Sequence, residues 1–346
     1  MRDVRKAFGE QFDVPDGYLN TPSMGIPSTS VADAVATAVD DWRRGAAAPP
    51  DYDPAIAIAR AAFAELVGVP PGRVAIGSAV SQLIAQVAVG LPAGARVVVR
   101  AGDFTSVTFP FAAQVARGVV VDEVPDAELA ARAAAADVVA VSVVQSADGA
   151  VADLAGLRAA QAGGTMVVLD ATQSLGWFDA DLGWADVVVG AAYKWLLSPR
   201  GAAWMAIGDA LREDLAEVPH QAGWFAGDDP WATVYGLPLR VAPDARALDI
   251  SPVWHAHVGA AVALPWLAGL DRAAVHAHCV GLADALRGEL GTPPAGSAIV
   301  SLPGSDVGER LAAAGVRSSV RAGGVRVGFH LYNDANDLDR VIQALR

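Results

Sequence analysis

The sequence reads V-V-L-D-A-T-Q-S-L-G from Val167 to Gly176 and D-V-V-V-G-A-A-Y-K-W-L from Asp186 to Leu196. Each stretch contains a short apolar run, which predicts a buried strand of a parallel sheet. Asp170 ends the first strand, and Lys194 lies just beyond the second. Open α/β sheets bind ligands at the carboxyl ends of their strands, so we expect these two side chains to converge on one small molecule.

Lys194 is one of only two lysines in a chain with 25 lysines and arginines, and the other is Lys6. An arginine stays protonated, whereas a lysine amine can lose its proton and condense with an aldehyde to form a Schiff base. Pyridoxal 5'-phosphate needs such an amine, together with a carboxylate that keeps its pyridine nitrogen protonated. The sequence therefore predicts that Lys194 and Asp170 bind this cofactor. The alternative, a surface lysine and a loop-capping aspartate, fits poorly with the flanking Tyr193 and Trp195.

Composition narrows the class of protein further. The 346 residues are enough for two domains, and the formal net charge of −13 argues against nucleic acid as a partner. The single cysteine, Cys279, excludes an internal disulfide. The N-terminus has no apolar core of a signal peptide, and no apolar run reaches the roughly 18 residues of a membrane-spanning helix. We therefore predict a cytoplasmic protein that binds neither nucleic acid nor a membrane.

Strand-like runs alternate with helical patterns through the first two thirds of the chain, which predicts an α/β fold whose mainly parallel sheet is covered on both faces. The predicted strands are 74–76, 96–101, 119–121, 138–143, 165–169 and 187–189, and the predicted helices include 31–44, 54–67, 77–88 and 127–136. Further helices are expected at 253–267, 272–290, 307–314 and 335–345, with strands at 298–302, 317–320 and 324–329. We predict an N-terminal arm (1–16), a large cofactor-binding domain (17–245) and a small α+β domain (246–346).

Other turns of the chain supply candidate contacts. The turn G-S-A at residues 77–79 leads into an apolar helix, whose unpaired N–H groups suit a phosphate, although Gly-Ser is also an ordinary helix cap. Phe104 follows a strand end and can lie flat against a planar ring, or it is one of several core aromatics. The segment from Asn20 to Ser23 is either a linker or a substrate-facing loop. Gln145 and Ser146 end another strand and point toward the same crevice.

Several other chemistries leave no pattern in this sequence. We find neither a P-loop motif, nor the glycine fingerprint of a dinucleotide site, nor the G-x-S-x-G of a serine hydrolase. His255 and His257, like His276 and His278, are two residues apart on predicted helices, so their side chains diverge. We predict core or surface histidines and no metal site.

The motif D-A-T-Q-S-L-G, followed by Y-K-W-L-x-x-P-x-G-x-A, resembles the class V aminotransferases, which include cysteine desulfurases, kynureninases and isopenicillin N epimerase-like proteins. The later stretch G-V-R-V-G-F-H-L-Y-N-D is similar to that family's R-x-S-x-x-x-Y-N-T. The likeness runs from about Tyr18 to the end of the chain. It implies a fold-type I, pyridoxal-phosphate-dependent transferase-like large domain, and a homodimer whose sites are completed across the interface.

The resemblance also implies a role for each matching residue. Lys194 would be the Schiff-base lysine, Asp170 would pair with the pyridine nitrogen, and Gln173 with the phenolic oxygen of the ring. The phosphate would be held by residues of both chains: Ser78, Ala79 and Tyr193 of one, and Trp224 and Ser251 of its neighbour. Arg326 would clamp the substrate's α-carboxylate, from the end of a strand of the small domain. The loop at Asn20 is expected beside the same substrate.

Departures from the family limit the reaction. Desulfurases carry a cysteine in the loop before the C-terminal arginine, and here residues 317–323 read R-S-S-V-R-A-G. Kynureninases share Phe104, where desulfurases have histidine, but typically have histidine in place of Gln173. We therefore predict a pyridoxal-phosphate enzyme acting on an α-amino acid, either an aminotransferase or a lyase. The alternative is a protein that keeps the fold and pocket but has a binding or regulatory role.

Overall fold

A computed structural model of the chain describes residues 4–346, so the first three residues of the predicted N-terminal arm lie outside it. The rest of the arm folds into a hairpin of β1 (Arg5–Ala7) and β2 (Glu10–Phe12). Arg5 donates two hydrogen bonds to the Asp337 carboxylate near the C-terminus. The arm is thereby attached to the end of the chain.

A seven-stranded sheet forms the centre of the molecule. Its strands are β3 (Val74–Gly77), β4 (Arg96–Arg100), β5 (Val120–Val124), β6 (Val138–Ser142), β7 (Met166–Asp170), β8 (Val187–Ala191) and β9 (Ala203–Ile207). They lie in the order β3-β9-β8-β7-β6-β4-β5, and only the two pairings of β9 are antiparallel. The mainly parallel sheet predicted from the sequence is confirmed.

Helices cover both faces of this sheet. They are α1 (Thr29–Arg44), α2 (Asp53–Val67), α3 (Val80–Gly90), α4 (Thr105–Ala112), α5 (Asp126–Ala133), α6 (Leu154–Ala162), α7 (Asp209–Glu217) and α8 (Trp254–Ala268). The next helix, α9 (Arg272–Glu289), packs against the smaller C-terminal sheet. Phe63 of α2 and Leu264 of α8 belong to the core on one face, and Leu83 of α3 and Phe111 of α4 to the core on the other. The central strands β6, β7 and β8 are almost entirely buried between these layers, as central parallel strands should be.

A smaller antiparallel sheet follows near the C-terminus. It consists of β10 (Ile299–Leu302), β11 (Ser319–Arg321) and β12 (Gly324–Gly328) in the order β10-β12-β11, with α10 (Val307–Ala313) and α11 (Ala335–Leu345). Leu19 from the start of the chain is buried in its core, while Tyr18 bridges to Arg317 and Asn20 to Gly328. Helix α8 packs against α1 and α2. The domain boundary near residue 245 stays a prediction.

Within residues 4–346, no single helix has both the length and the apolar character needed to span a membrane. Helices α8 and α9 meet that test only together, as a pair bent by 95°.

Candidate active site

Lys194 and Asp170 come together at the carboxyl ends of neighbouring strands. Asp170 is the last residue of β7 and lies opposite Val189 of the parallel strand β8, whose chain continues to Lys194. Each side chain belongs to a residue that is only 5% exposed, and each shifts the other's pKa. The two residues that the sequence singled out therefore lie together, buried, at the carboxyl edge of the sheet.

The surroundings of Lys194 weaken its hold on a proton. Burial lowers the pKa of its ammonium to about 8, although the Asp170 carboxylate pulls that pKa upward. The positive charges that lower it further belong to Arg326, Arg321 and Arg200. Burial raises the pKa of Asp170, against the hydrogen bonds of Thr172 and the charge of Lys194. The site thus holds an amine that loses its proton readily. Beside it lies a carboxylate whose charged form a further cation would stabilise.

Phe104 lies at the N-terminus of α4 with its ring centroid 5.2 Å from Lys194 Nζ, and the ring of Tyr193 is 5.6 Å from the same atom. Phe104 is 43% exposed and stands outside the cores that contain Phe111. The structure therefore leaves the Phe104 ring available for stacking, and the alternative of an ordinary core aromatic does not hold.

The N-terminus of α3 is open. Ala79 occupies its N-cap position, and no side chain caps the helix there. The first N–H groups of a helix have no partner within it and carry the positive end of the helix dipole. Ser78 donates its backbone N–H to Gln82 Oε1 at 2.8 Å, and Gln82 donates in turn to Gln221 at 2.6 Å. This terminus is therefore suited to a phosphate. Separately, Arg200 stacks on Tyr193, with its guanidinium carbon 5.1 Å from the centroid of the ring.

Gln173 is fully occupied by protein partners. Its Nε2 donates to the carbonyl of Pro22 and to Ser146 Oγ, both at 3.0 Å. Its Oε1 accepts from Trp195 Nε1 at 2.7 Å. Both amide hydrogens are used, so the phenolic-oxygen role implied by the resemblance stays a prediction that requires this side chain to give up a present partner. In its observed position, Gln173 links the loop before α1 to the residue after Lys194.

Arg326 is the central residue of β12, and the expectation that it ends a strand is wrong. Its register explains the error: β12 is paired on both sides, opposite Ser301 of β10 and Ser319 of β11. The buried guanidinium donates to hydroxyl groups of Ser146, Ser23 and Ser319, and to the Ser146 carbonyl. Nε–H is buried and has no partner among residues 4–346. A carboxylate can bind at this free N–H and displace a serine hydroxyl beside it.

The loop at Asn20 contacts both Arg326 and the segment that carries Lys194, and its substrate-facing role stays a prediction. Ser23 contacts Arg326 through its hydroxyl, and Gly25 N–H donates to the Tyr193 carbonyl at 2.9 Å. The buried Asn20 Oδ1 accepts no hydrogen bond in the described part of the chain. The loop therefore spans the distance between the small sheet and the segment that carries Lys194.

Trp224 and Ser251 lie apart from the lysine. Trp224 packs against Trp231, with ring centroids 4.8 Å apart. Ser251 is exposed and lies beside Gly223. Neither residue makes a hydrogen bond to another predicted site residue within the part of the chain that is described. Their roles toward a neighbouring chain stay predictions.

Sequence reasoning missed two positioning contacts. The ring of His330 is buried, and its Nε2 lies 3.0 Å from the carbonyl oxygen of Trp195, so this nitrogen carries the proton and donates it. Tyr332 shares a hydrogen bond with Thr21 Oγ1. Both residues lie in the stretch F-H-L-Y-N that the resemblance had matched, but nothing local in the sequence reveals which backbone group a buried ring will meet.

The fold is shared with solved structures of a lyase and a desulfurase. The cystine C–S lyase C-DES, in complex with its reaction product cysteine persulfide, superposes with a TM-score of 0.83 at 19% identity, covering 96% of this chain and 97% of that chain. A variant of the lyase with glycine covalently linked to its PLP cofactor gives 0.84, also at 19% identity and covering 96% of each chain. The cysteine desulfurase CsdA from Escherichia coli gives 0.79 at 19% identity, over 95% and 94% of the chains.

The chain has the fold of these lyase and desulfurase structures. This result confirms the fold-type I architecture predicted from the sequence. No protein-family model matches the chain, and no curated protein matches it. The fold brings Lys194 and Asp170 to the strand edge where open α/β sheets bind their ligands.

The residues present fit pyridoxal phosphate. Burial raises the pKa of the Asp170 carboxyl group, so a protonated ring nitrogen beside it would stabilise its charged form. Phe104 offers a ring face near Lys194. The uncapped N-terminus of α3 offers N–H groups to a phosphate. Lysine, carboxylate, aromatic face and anion site are all parts that this cofactor requires.

Proposed function

We propose that this protein is a pyridoxal-phosphate-dependent enzyme that acts on an α-amino acid through Lys194. The observation that carries the proposal is a buried pair at the carboxyl ends of adjacent parallel strands: Lys194, with its pKa lowered to about 8, and Asp170. Pyridoxal phosphate supplies, when bound, an aldehyde for the lysine and a ring that accepts electrons from the substrate. Asp170 would hold the ring nitrogen, and Ser78, Ala79 and Tyr193 the phosphate.

The substrate would be positioned by groups on the other side of the amine. Arg326 would bind the α-carboxylate through its free Nε–H and an adjacent Nη, a bidentate geometry that lysine cannot copy. Asn20 is placed nearby with an unsatisfied amide oxygen. The Lys194 amine, whose pKa is lowered to about 8, would be the base that accepts the α-proton of the substrate.

We further propose that the reaction is a β-elimination, which makes the enzyme a lyase. The desulfurase route needs a thiolate at the site, and Cys279 is the only cysteine of the chain. Cys279 is fully buried in α9, where burial raises the pKa of its thiol. A β-elimination needs no protein thiol: the α-proton passes to Lys194, and the group on Cβ leaves with its bonding electrons. The similarity to a cystine C–S lyase supports this reaction.

A panel of amino acids tests the reaction. The protein, loaded with pyridoxal phosphate, is incubated with cystine, cysteine and β-chloroalanine, which carry a leaving group on Cβ, and with alanine, which does not. We expect keto acid and ammonia in equal amounts from the first three only, and neither product from a Lys194→Ala variant. Keto acid that forms only with an added keto-acid acceptor, without ammonia, would instead establish an aminotransferase. Binding of amino acids without any product would support a binding or regulatory role.

We also propose that two copies of the chain complete each other's site. The segment 228–240 is a long loop whose large apolar side chains face outward, with Leu237 91% and Tyr235 89% exposed. Exposed apolar surface of this kind is typical of an interface. Trp231 of the same loop packs on Trp224, so a second copy bound there would lie close to Trp224 and Ser251. A homodimer and a cytoplasmic location are parts of this proposal.

A further inference from the structure

The hairpin of β11 and β12 carries two arginines on one face. In this hairpin Ser319 lies opposite Arg326, and Arg321 lies opposite Gly324. Residues directly opposite in a strand pair share a face, as do residues two apart along a strand. Ser319, Arg321 and Arg326 therefore project from the same face, with the two arginines as diagonal neighbours.

Both guanidinium groups reach the same hydroxyl. Arg326 Nη2 donates to Ser23 Oγ at 2.8 Å, and Arg321 Nη2 lies 3.5 Å from that oxygen. The turn between the strands is the dipeptide Ala322-Gly323, with φ of 46° and 82°. Two successive positive φ values match the twist of a tight hairpin, so the backbone at Arg321 is held by a short connection rather than by a long loop.

The positive charge at this hairpin has no protein counter-ion. Neither Arg321 nor Arg326 forms an ion pair within residues 4–346, whereas buried arginines elsewhere, such as Arg60 and Arg287, do. Burial and, after it, the charge of Arg321 lower the pKa of Arg326 to about 10. Adjacent like charges are unfavourable in a sheet. In a chain with a net charge of −13, the pair of Arg321 and Arg326 is therefore suited to bind an anion.

One carboxylate does not neutralise both arginines. The α-carboxylate of the proposed substrate accounts for Arg326 and leaves Arg321 without a partner. The cofactor phosphate is proposed to bind at the N-terminus of α3, so it is not the expected partner of Arg321. Arg321 instead reaches the Ser23 hydroxyl that Arg326 also contacts. Arg321 therefore lies beside the group that is proposed to bind the α-carboxylate.

We propose that the side chain of the substrate ends in a second acidic group, a carboxylate or a comparable oxyanion, which Arg321 binds while Arg326 binds the α-carboxylate. This assignment rests on the proposed function of the site. Arg321 acts on binding and on substrate choice, so it is a specificity-determining residue. Ser23 lies between the two arginines and contacts both, and Ser319 contacts Arg326.

A test without turnover compares succinate, which has two carboxylates, with butyrate, which has one. The thermal midpoint of the full chain is measured with each anion at matched ionic strength, because salt screens exposed charges. We expect succinate to raise the midpoint clearly more than butyrate. Arg321→Met should abolish the difference, and Arg321→Lys, which keeps the charge, should retain part of it. Arg310→Met removes a partly buried charge of α10 that is paired with Asp306, and it should leave the difference unchanged.

A second test uses the cofactor-loaded protein and the spectral change on amino-acid binding. We expect aspartate, glutamate or cystine to bind about tenfold more tightly than asparagine or glutamine, and Arg321→Met to remove that preference. Amides that bind as tightly as the acids, or an Arg321→Met variant that keeps the preference, would overturn this inference while leaving the proposed function intact. Failure of the protein to bind pyridoxal phosphate at Lys194 would instead overturn the proposed function, and the succinate test would still stand on its own.

Discussion

The amine of Lys194 sets the pH range in which the site can react. Its pKa is lowered from the ordinary 10.5 to about 8, first by burial and then by nearby arginines, while Asp170 opposes the shift. A lysine attacks a carbonyl only as the neutral amine. In the folded protein the reactive form therefore appears at a lower pH than it does for a solvated lysine.

We predict that the rate of pyridoxal phosphate attachment rises with pH and reaches half its maximum near pH 8. Stopped-flow absorbance after mixing the cofactor-free protein with pyridoxal phosphate measures that midpoint. Removing one of the neighbouring positive charges with Arg321→Met should move the midpoint to higher pH, since Arg321 lowers the pKa of Lys194. Arg310→Met is the control and should not move it. A wild-type midpoint near 10 would contradict the effect of burial.

Gln173 permits a second prediction at the residue scale. Gln173→Met removes a hydrogen bond from each of three buried partners, Trp195 Nε1, Ser146 Oγ and the Pro22 carbonyl, and of these Ser146 Oγ keeps its bond from Arg326. We expect the cofactor-free protein to lose about 1–3 kcal/mol of unfolding free energy, measured in urea. Gln114→Met, at a half-buried position on the surface, should change it by less than about 0.5 kcal/mol. Unchanged stability together with weakened cofactor binding would instead support the role that the resemblance implies for Gln173, which is pairing with the phenolic oxygen of the ring.

At the scale of elements, the loop between β2 and α1 touches the lysine segment through a residue with no side chain. A Cβ built on Gly25 would overlap the carbonyl oxygen of Lys194. The Gly25 N–H also donates to the Tyr193 carbonyl. The loop and the lysine segment therefore share a backbone contact that only glycine permits.

We predict that Gly25→Ala separates these two segments and lowers the unfolding free energy by about 1–3 kcal/mol. Attachment of pyridoxal phosphate should weaken in the same variant. Gly281→Ala is the matched control: it lies in α9 with nothing within 4 Å of an added Cβ, so it should stabilise the protein by roughly 0.5–1 kcal/mol. Equal effects of the two substitutions, measured by urea unfolding, would rule out the contact as the cause.

The elements themselves could be read from the sequence to a large extent. Apolar runs such as 187–189 predicted β8 because a central parallel strand is buried on both faces. The helix expected at 31–44 agrees with α1 because Ser28 supplies an N-cap that the sequence shows. Pairing partners are different, since they depend on distant residues. The central place of Arg326 in β12 and the occupied amide of Gln173 both follow from contacts that no local pattern encodes.

The same limit applies to the site. Lys194, Asp170 and Phe104 could be identified because each lies at the carboxyl end of a strand or a few residues beyond it, and all strand ends of one direction share an edge. Arg321 and Ser23 could not be identified. Their meeting depends on the pairing of β11 with β12 and on the approach of residues 20–24 to that hairpin.

At the scale of the whole molecule, the outward-facing loop at 228–240 predicts an interface with a second copy. Leu237→Asp should shift the protein toward a monomer at a given concentration, as measured by analytical ultracentrifugation, because it places a charge in a surface that the dimer buries. Leu290→Asp changes an exposed leucine at the end of α9 and should leave the mass unchanged. A wild-type protein that sediments as a monomer at all concentrations would refute the dimer.

The central claim is that Lys194 holds the aldehyde of pyridoxal phosphate at the edge of the sheet. The chain contains only two lysines, so the attachment can be located without ambiguity. The protein is loaded with the cofactor, reduced with borohydride, digested and examined by mass spectrometry. The account predicts the reduced cofactor on the peptide that contains Lys194, none on Lys6, and none in Lys194→Arg. Cofactor fixed on Lys6 alone, or fixed no less in Lys194→Arg, would contradict it.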